Sequence, residues 1–164
     1  ANMGSAISWF KDNKHLLVKT LPGDRKPLID TSVAIPDGPT ISVSDGEKAQ
    51  NRTYQDLLKN PNDEFNFEQL ALSELKKVSL SGNIEDFLPS AMYDDVSFSP
   101  DGNYIMVSEV KKPFSYIVTY SRFPSESTVY DSDGNLVKVV NEVPLDEVRP
   151  KGFMATRLGK RNMS

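Results

Sequence analysis

Apolar and polar positions alternate in two stretches of the chain that share one pattern. Residues 7–20 read ISWFKDNKHLLVKT and residues 96–109 read VSFSPDGNYIMVSE. Aligned without a gap, Trp9 falls on Phe98, Asp12 on Asp101, Asn13 on Gly102, Leu17 on Met106 and Val18 on Val107. Each stretch predicts an aromatic-bearing strand, a tight polar turn and a second apolar strand. The turns follow from chemistry: Asp and Asn bond to nearby backbone, and Asn and Gly tolerate positive φ. Self-similarity at a spacing of about ninety residues predicts a chain that stacks copies of one small sheet.

Between the two copies the pattern changes. Residues 21–51 hold Pro22, Pro27, Pro36, Pro39, Gly23, Gly38 and Gly46, which excludes a central strand or a helix there. This stretch is expected to be an irregular excursion outside the sheet. Thr53-Tyr54-Gln55-Asp56 resembles a capping box, predicting a short helix through Leu57, Leu58 and Lys59 that stops near Pro61. Residues 67–78 admit two readings. Phe67, Ala71, Leu75 and Val78 recur at helical spacing, while Leu70 and Leu72 alternate as in a strand. Val78 and Leu80 before Ser81-Gly82-Asn83 predict a hairpin turn, so strands on both sides of Gly82 would complete the first sheet.

After the second copy, residues 114–120 read as a β-branched and aromatic strand. Residues 127–140 predict a further hairpin with its turn at Asp131-Ser132-Asp133-Gly134. The stretch 96–140 thus predicts about four strands joined by short turns. The expected fold class is all-β, a partial β-propeller of about two four-stranded antiparallel blades, with one short helix in an irregular insertion. A sandwich or an open solenoid of sheets is less favoured, because a sandwich does not predict the repeat. The blade-like units are expected at about 7–88, with the insertion at 21–61, and at 96–140; residues 149–164 would lead into a next blade.

Composition narrows the function classes. The chain has 164 residues, a formal charge of −4 and no cysteine. One soluble domain is the expectation, with no disulfide frame and no thiolate chemistry. The negative balance disfavours nucleic acid and anionic membranes as partners. No apolar run approaches the ~18 residues that a membrane helix needs. The first residues lack the basic start and apolar stretch of a targeting peptide. They run almost at once into an expected strand, and Arg161-Asn162-Met163-Ser164 carries no terminating signal, so the chain is expected to be a piece of a longer protein.

Few residues suggest chemistry. His15, the only histidine, follows a turn and is read as structural. Asp131–Asn135 with Glu142 echoes a calcium loop, but the sixth position is Leu136 where the sharp turn needs Gly, so a hairpin turn is preferred. Asp94 and Asp95 adjoin, and neighbours on a strand face opposite ways, so they are read as a polar connection between blades. The basic tail of Arg149, Lys151, Arg157, Lys160 and Arg161 lacks the interleaved aromatics of a nucleic-acid surface and is read as solvated. No cofactor and no metal is implied.

Longer strings carry a family resemblance. They are Lys26-Pro27-Leu28, Arg52-Thr53-Tyr54-Gln55-Asp56-Leu57-Leu58, Lys112-Pro113-Phe114-Ser115-Tyr116-Ile117-Val118, Arg122-Phe123-Pro124, Val129-Tyr130 with Asp133-Gly134, and Val143-Pro144-Leu145. In this order they resemble the N-terminal β-propeller of the prolyl oligopeptidase family of serine peptidases, in its glutamyl endopeptidase-like branch. The resemblance covers nearly the whole chain. It implies strand for residues 69–75 and a propeller that gates access and helps select peptides for an α/β-hydrolase domain of the same parent chain. The family's G-x-S-x-G nucleophile elbow does not occur here, so the piece is expected to be non-catalytic.

Arg122, Lys111 and Lys112 are the candidate substrate contacts. The branch includes enzymes that cleave after glutamate, and cations, Arg above all, clamp a carboxylate. The bacterial members are often exported, which favours a periplasmic site, and the plant members lie in plastids. The rival function is a stand-alone propeller-type binding module with no peptidase attached. Exposed blade faces and edges would drive a piece of this kind to dimerise, to swap strands or to cover itself with the excursion.

Overall fold

The computed structural model describes residues 3–30, 33, 56–148 and 159–161. Among the described residues the fold is two four-stranded antiparallel sheets, with one helix inserted between the second and third strands of the first. The first sheet takes β1 (Ile7–Trp9), β2 (His15–Thr20), β3 (Ser73–Ser79) and β4 (Ile84–Ala91) in chain order. The second takes β5 (Tyr93–Phe98), β6 (Tyr104–Val110), β7 (Ser125–Asp131) and β8 (Leu136–Val143) in the same order. This all-β arrangement is the expected class and is consistent with a partial propeller.

The repeat holds to the level of register. Ile7 pairs with Val18 and Trp9 with Leu16; at the aligned positions Val96 pairs with Val107 and Phe98 with Ile105. The turns share their chemistry too. Asp12 accepts from the Lys14 amide at 2.8 Å, and Asp101 accepts from the Asn103 amide at 3.1 Å. Asn13 sits at φ 56 and Gly102 at φ 77. The one difference has a packing cause. A Cβ on Gly102 would lie 2.4 Å from Lys11 Cβ, because the second turn rests against the first.

The core lies between the sheets. Phe10, Leu17, Leu75, Phe87 and Leu88 of the first sheet and its turn meet Tyr93, Ile105 and Val107 of the second. Leu75 and Ile105 are both 0% exposed. Phe10 adds an edge-to-face contact with Phe98 at 5.2 Å. Burial of this kind is worth about 1.5–3 kcal/mol per large apolar side chain, which is what holds two small sheets together.

Four expectations need correction. The described helix is α1 (Pro61–Ala71), so it begins where the helix over Leu57–Lys59 was expected to stop. Thr53, Tyr54 and Gln55 of the expected capping box lie outside the described residues, and Asp56 to Asn60 are not helical. The cause is Pro61: it forces Asn60 into an extended conformation (φ −159, ψ 171) yet suits the first helical position. Asn60 caps the helix by accepting from the Asp63 amide at 2.9 Å, and Asp63 accepts from the Lys59 amide at 2.9 Å. Strand for residues 69–75 holds only from Ser73, because Gln69, Leu70 and Ala71 complete the helix.

Residues 114–120 are not a strand. Phe114 and Val118 point into a second apolar cluster with Ala71, Met92, Val110 and Phe123, and the third strand is Ser125–Asp131 instead. Pro113 lacks the donor a ladder needs at the start of that run. Finally, Asp94 and Asp95 are not a connection. They lie inside β5, and Met92 alone separates β4 from β5.

Candidate functional site

The chain leaves the second sheet after Val110 and returns at Ser125. The Lys111 amide donates to the Pro124 carbonyl at 2.7 Å, closing the base of this loop. Within it, Tyr120–Arg122 forms a single 3-10 turn. Phe114 and Phe123 bury against Phe67 of α1, with ring centroids 5.1 and 5.7 Å away, both edge to face. The apolar face of the helix and the loop therefore fold onto each other.

A cavity of about 360 Å³ opens beside this cluster. Leu57, Leu58, Phe67, Val118, Tyr120 and Phe123 form its apolar wall, and Asp56 and Thr119 supply polar groups. Tyr120 is exposed at its rim. A small apolar pocket with few polar groups is the usual form of a recognition site. A second, shallower groove of about 610 Å³ runs along β3 and β4, lined by Asp24, Glu74, Lys76, Asp86 and Pro89 among others.

The three candidate cations lie in or next to the loop, each beside a different carboxylate. Arg122 Nη1 is 3.6 Å from Asp146 Oδ2, and the Asp146 amide donates to the Arg122 carbonyl at 3.1 Å. Lys112 Nζ donates to Glu68 Oε2 of α1 at 2.8 Å and sits 5.6 Å from the Phe114 ring centroid. Lys111 Nζ pairs with Glu109 and lies 3.7 Å from Glu126. Burial works against the Lys111 charge, but the bonds and field of Glu109 and Glu126 carry its pKa upward. Tyr116 in the same loop is raised by burial and by its bond to Glu64, with Asp63 adding to the effect.

His15 has a structural setting. Its Nδ1 lies 2.5 Å from Asp12 Oδ2, and its ring packs edge on against Phe10 at 6.3 Å. No serine hydroxyl bonds to His15 among the described residues. Asp131 accepts from the Asn135 amide at 2.9 Å and from its side chain at 2.9 Å, forming a hairpin turn with Gly134 at φ 84.

One group escaped the reading of the sequence. Lys19 is 7% exposed, and its ammonium donates to the carbonyls of Met3 at 2.6 Å, Tyr93 at 3.1 Å and Asp94 at 3.4 Å. Burial pulls its pKa down, with Asp94 and Asp95 opposing. Burial raises the Asp94 carboxyl in turn, against the pull of Lys19. The signal was the alternation itself, since Lys19 shares a strand face with buried Leu17.

No protein-family profile matches the chain, and no solved structure matches it. Two curated relatives do. A rice protein named "Probable glutamyl endopeptidase, chloroplastic" is 35% identical over 158 residues, and an Arabidopsis protein of the same name is 36% identical over 159. Each alignment takes in 93% of this chain, and the chain spans 16% of the length of each relative. The likeness is to a small part of a much larger peptidase-named protein.

Proposed function

We propose that this chain is a non-catalytic propeller segment of a larger serine peptidase of the prolyl oligopeptidase family, in its glutamyl endopeptidase-like branch. The observation that carries the reading is one of proportion: nearly all of the chain aligns, but to 16% of each peptidase-named relative. Two stacked four-stranded sheets are what a pair of propeller blades requires. In this reading 7–88 and 96–140 are successive blades, and 149–164 lead onward.

Hydrolysis is assigned to an α/β-hydrolase domain of the parent chain. A serine nucleophile needs a base within hydrogen-bond reach, and the described histidine is engaged with Asp12. The role left to this segment is to gate access and help select substrates. Close-packed sheets do not deform to admit a folded protein, so they pass peptides by size. Arg122 is the candidate contact for an acidic side chain, because its fork suits a carboxylate and its Asp146 partner sits at 3.6 Å, longer than a tight bidentate pair.

The test uses the intact parent protein. Removing residues 7–143 should let the enzyme cleave a folded substrate it otherwise spares, while cleavage of a short peptide persists. Arg122→Ala should lower the preference for acidic over neutral peptides. Unchanged size discrimination on removal of the segment, or peptide hydrolysis by the isolated 164-residue chain, would overturn the reading.

A further inference from the structure

The apolar cavity beside Phe67 carries one carboxylate that the fold does not use. Asp56 lines the cavity and makes no hydrogen bond or ion pair with the described residues. The acids of α1, by contrast, are all engaged. Asp63 accepts from the Lys59 amide, Glu64 bonds to Tyr116, and Glu68 holds Lys112. No lysine or arginine lines the cavity, so nothing in its wall neutralises Asp56.

The rest of the wall sets the kind of group that fits beside that charge. Leu57, Val118 and Phe123 are buried and close the apolar side. Phe67 and Tyr120 add two aromatic rings with centroids 6.4 Å apart, the second of them exposed. Aromatic faces and a carboxylate both attract a cation. An anion would meet Asp56 and also Asp63 and Glu64 in the first turn of the helix. A neutral apolar group would gain burial but leave Asp56 without a partner. The wall is also held in shape before any ligand arrives: the Arg122 amide donates to the Thr119 carbonyl at 2.9 Å and the Phe123 amide to the Tyr120 carbonyl at 3.0 Å.

The strand registers place the cavity away from the flat faces of the sheets. Thr20 lies opposite Glu74, Ser73 opposite Ala91, Tyr93 opposite Glu109 and Val110 opposite Ser125. The helix insertion, Met92 and the loop after Val110 therefore all leave from one end of the sheets. Met92 and Val110 belong to the cluster that also takes in Phe67, Val118 and Phe123, so the cavity opens at that end. A further sheet stacked on an outer face would lie alongside these connections, not over them.

We propose that this cavity is a binding site for an organic cation with an apolar body, in which Asp56 holds the ammonium and the Leu57–Phe67–Val118–Phe123 wall takes the body. The assignment goes beyond the peptidase reading and does not rest on it.

The test follows the methyl groups of Leu57, Leu58 and Val118 by NMR in the 164-residue chain. Phenylpropylamine is added at neutral pH to about 50 mM, beyond the millimolar Kd expected of so small a ligand. Phenylpropanol and phenylpropionate carry the same body with no charge and with a negative one. The amine should shift all three residues with a Kd at least about threefold below that of the alcohol, and the carboxylate should bind most weakly. Asp56→Asn should bring the amine to the level of the alcohol and leave the alcohol unchanged. Tyr120→Ala should weaken the amine and Tyr120→Phe should restore it. Acetyl-Phe-Lys-amide presents an apolar group and an ammonium on a peptide backbone. A Kd below that of the amine supports the site with a peptide as the source of the cation, and a Kd above it supports the site with a free amine. Absence of shifts at these methyl groups overturns the proposal. So does equal affinity for amine and alcohol, or a preference for the amine that survives Asp56→Asn.

Discussion

The ammonium of Lys19, on the second strand of the first sheet, donates to the carbonyl of Tyr93, the first residue of the second sheet, at 3.1 Å. The same ammonium holds the Met3 carbonyl at 2.6 Å. One buried cation therefore ties the N-terminal segment to the point where the chain passes from sheet to sheet. Gly4 completes the site: a Cβ there would lie 2.1 Å from the Asp94 carbonyl oxygen, so nothing larger fits.

Replacing Lys19 by Met keeps the bulk and removes the donor. Each buried carbonyl left without a partner costs about 1–3 kcal/mol, and relief from burying a charge offsets part of that. Lys19→Met should lower stability by about 1–3 kcal/mol in urea unfolding. The pH dependence has a definite sign. Burial holds the folded pKa of Lys19 below the ordinary 10.5, so between those values the unfolded chain binds more protons. Stability relative to Lys19→Met should then rise with pH through that alkaline window. A gap that shrinks as pH rises would contradict the burial assigned to this amine.

Gly102 separates backbone strain from contact between the sheets. Its φ of 77 and that of Gly82, 94, both disfavour a side chain, but only Gly102 faces a neighbour, Lys11 Cβ, at 2.4 Å from a built Cβ. Gly82→Ala should cost about 1–2 kcal/mol from the left-handed backbone alone. Gly102→Ala should cost more. Asn at 102 matches Asn13 of the first turn and relieves the backbone, but not the contact. If Gly102→Asn proves as stable as the native chain by thermal unfolding, the two turns do not press together as described.

How far the sequence was legible depends on where each signal came from. The hairpins at 7–20 and 96–109 were readable because alternation, turn chemistry and repeat agree, and the registers match residue for residue. Pro61 reads both as a stop and as a first helical residue; only the Asn60 cap, with Asp63 reaching back to Lys59, decides between them. Residues 114–120 carry strand-like composition, yet their large side chains answer to Phe67 on a helix far away in sequence. Arg122, Lys111 and Lys112 read as cations, and Glu109 lies only two residues from Lys111, but Asp146, Glu68 and Glu126 beside them are tertiary neighbours that spacing alone does not pair. Lys19 does not stand out in the sequence, because a lysine in a strand is ordinarily solvated.

The helix cap gives a prediction of its own. Asn60→Ala removes the acceptor for the Asp63 amide and should destabilise the chain by about 1 kcal/mol. The helix also anchors the excursion, since Asn66 bonds both backbone groups of Ile29 at 2.8 Å and Gln69 accepts from the Lys26 amide at 2.9 Å. Loss of the cap should therefore speed hydrogen exchange at the Lys26 and Ile29 amides more than at Ile105. Equal acceleration at all three would mean that the helix and the sheets open as one unit.

Asp12 supplies the acid-side prediction. Its bond to His15, followed by the Lys14 amide, lowers its pKa from 3.8 to about 2. A carboxylate with a depressed folded pKa contributes stability that is present above the unfolded value and is lost as pH falls through the folded one. That contribution should be intact above about pH 4 and vanish between there and about pH 2. Asp12 lies at the surface, where solvent screens the pair, so its worth should be below about 1 kcal/mol. Titration of the Asp12 carboxyl by NMR should give a midpoint near 2, and Asp12→Asn should flatten the acid limb of stability in that window. A midpoint at the ordinary 3.8 would mean that the Asp12–His15 bond does not persist in solution. The turn would then be held by the Lys14 and His15 amides on Asp12 Oδ1 and by the backbone at Asn13.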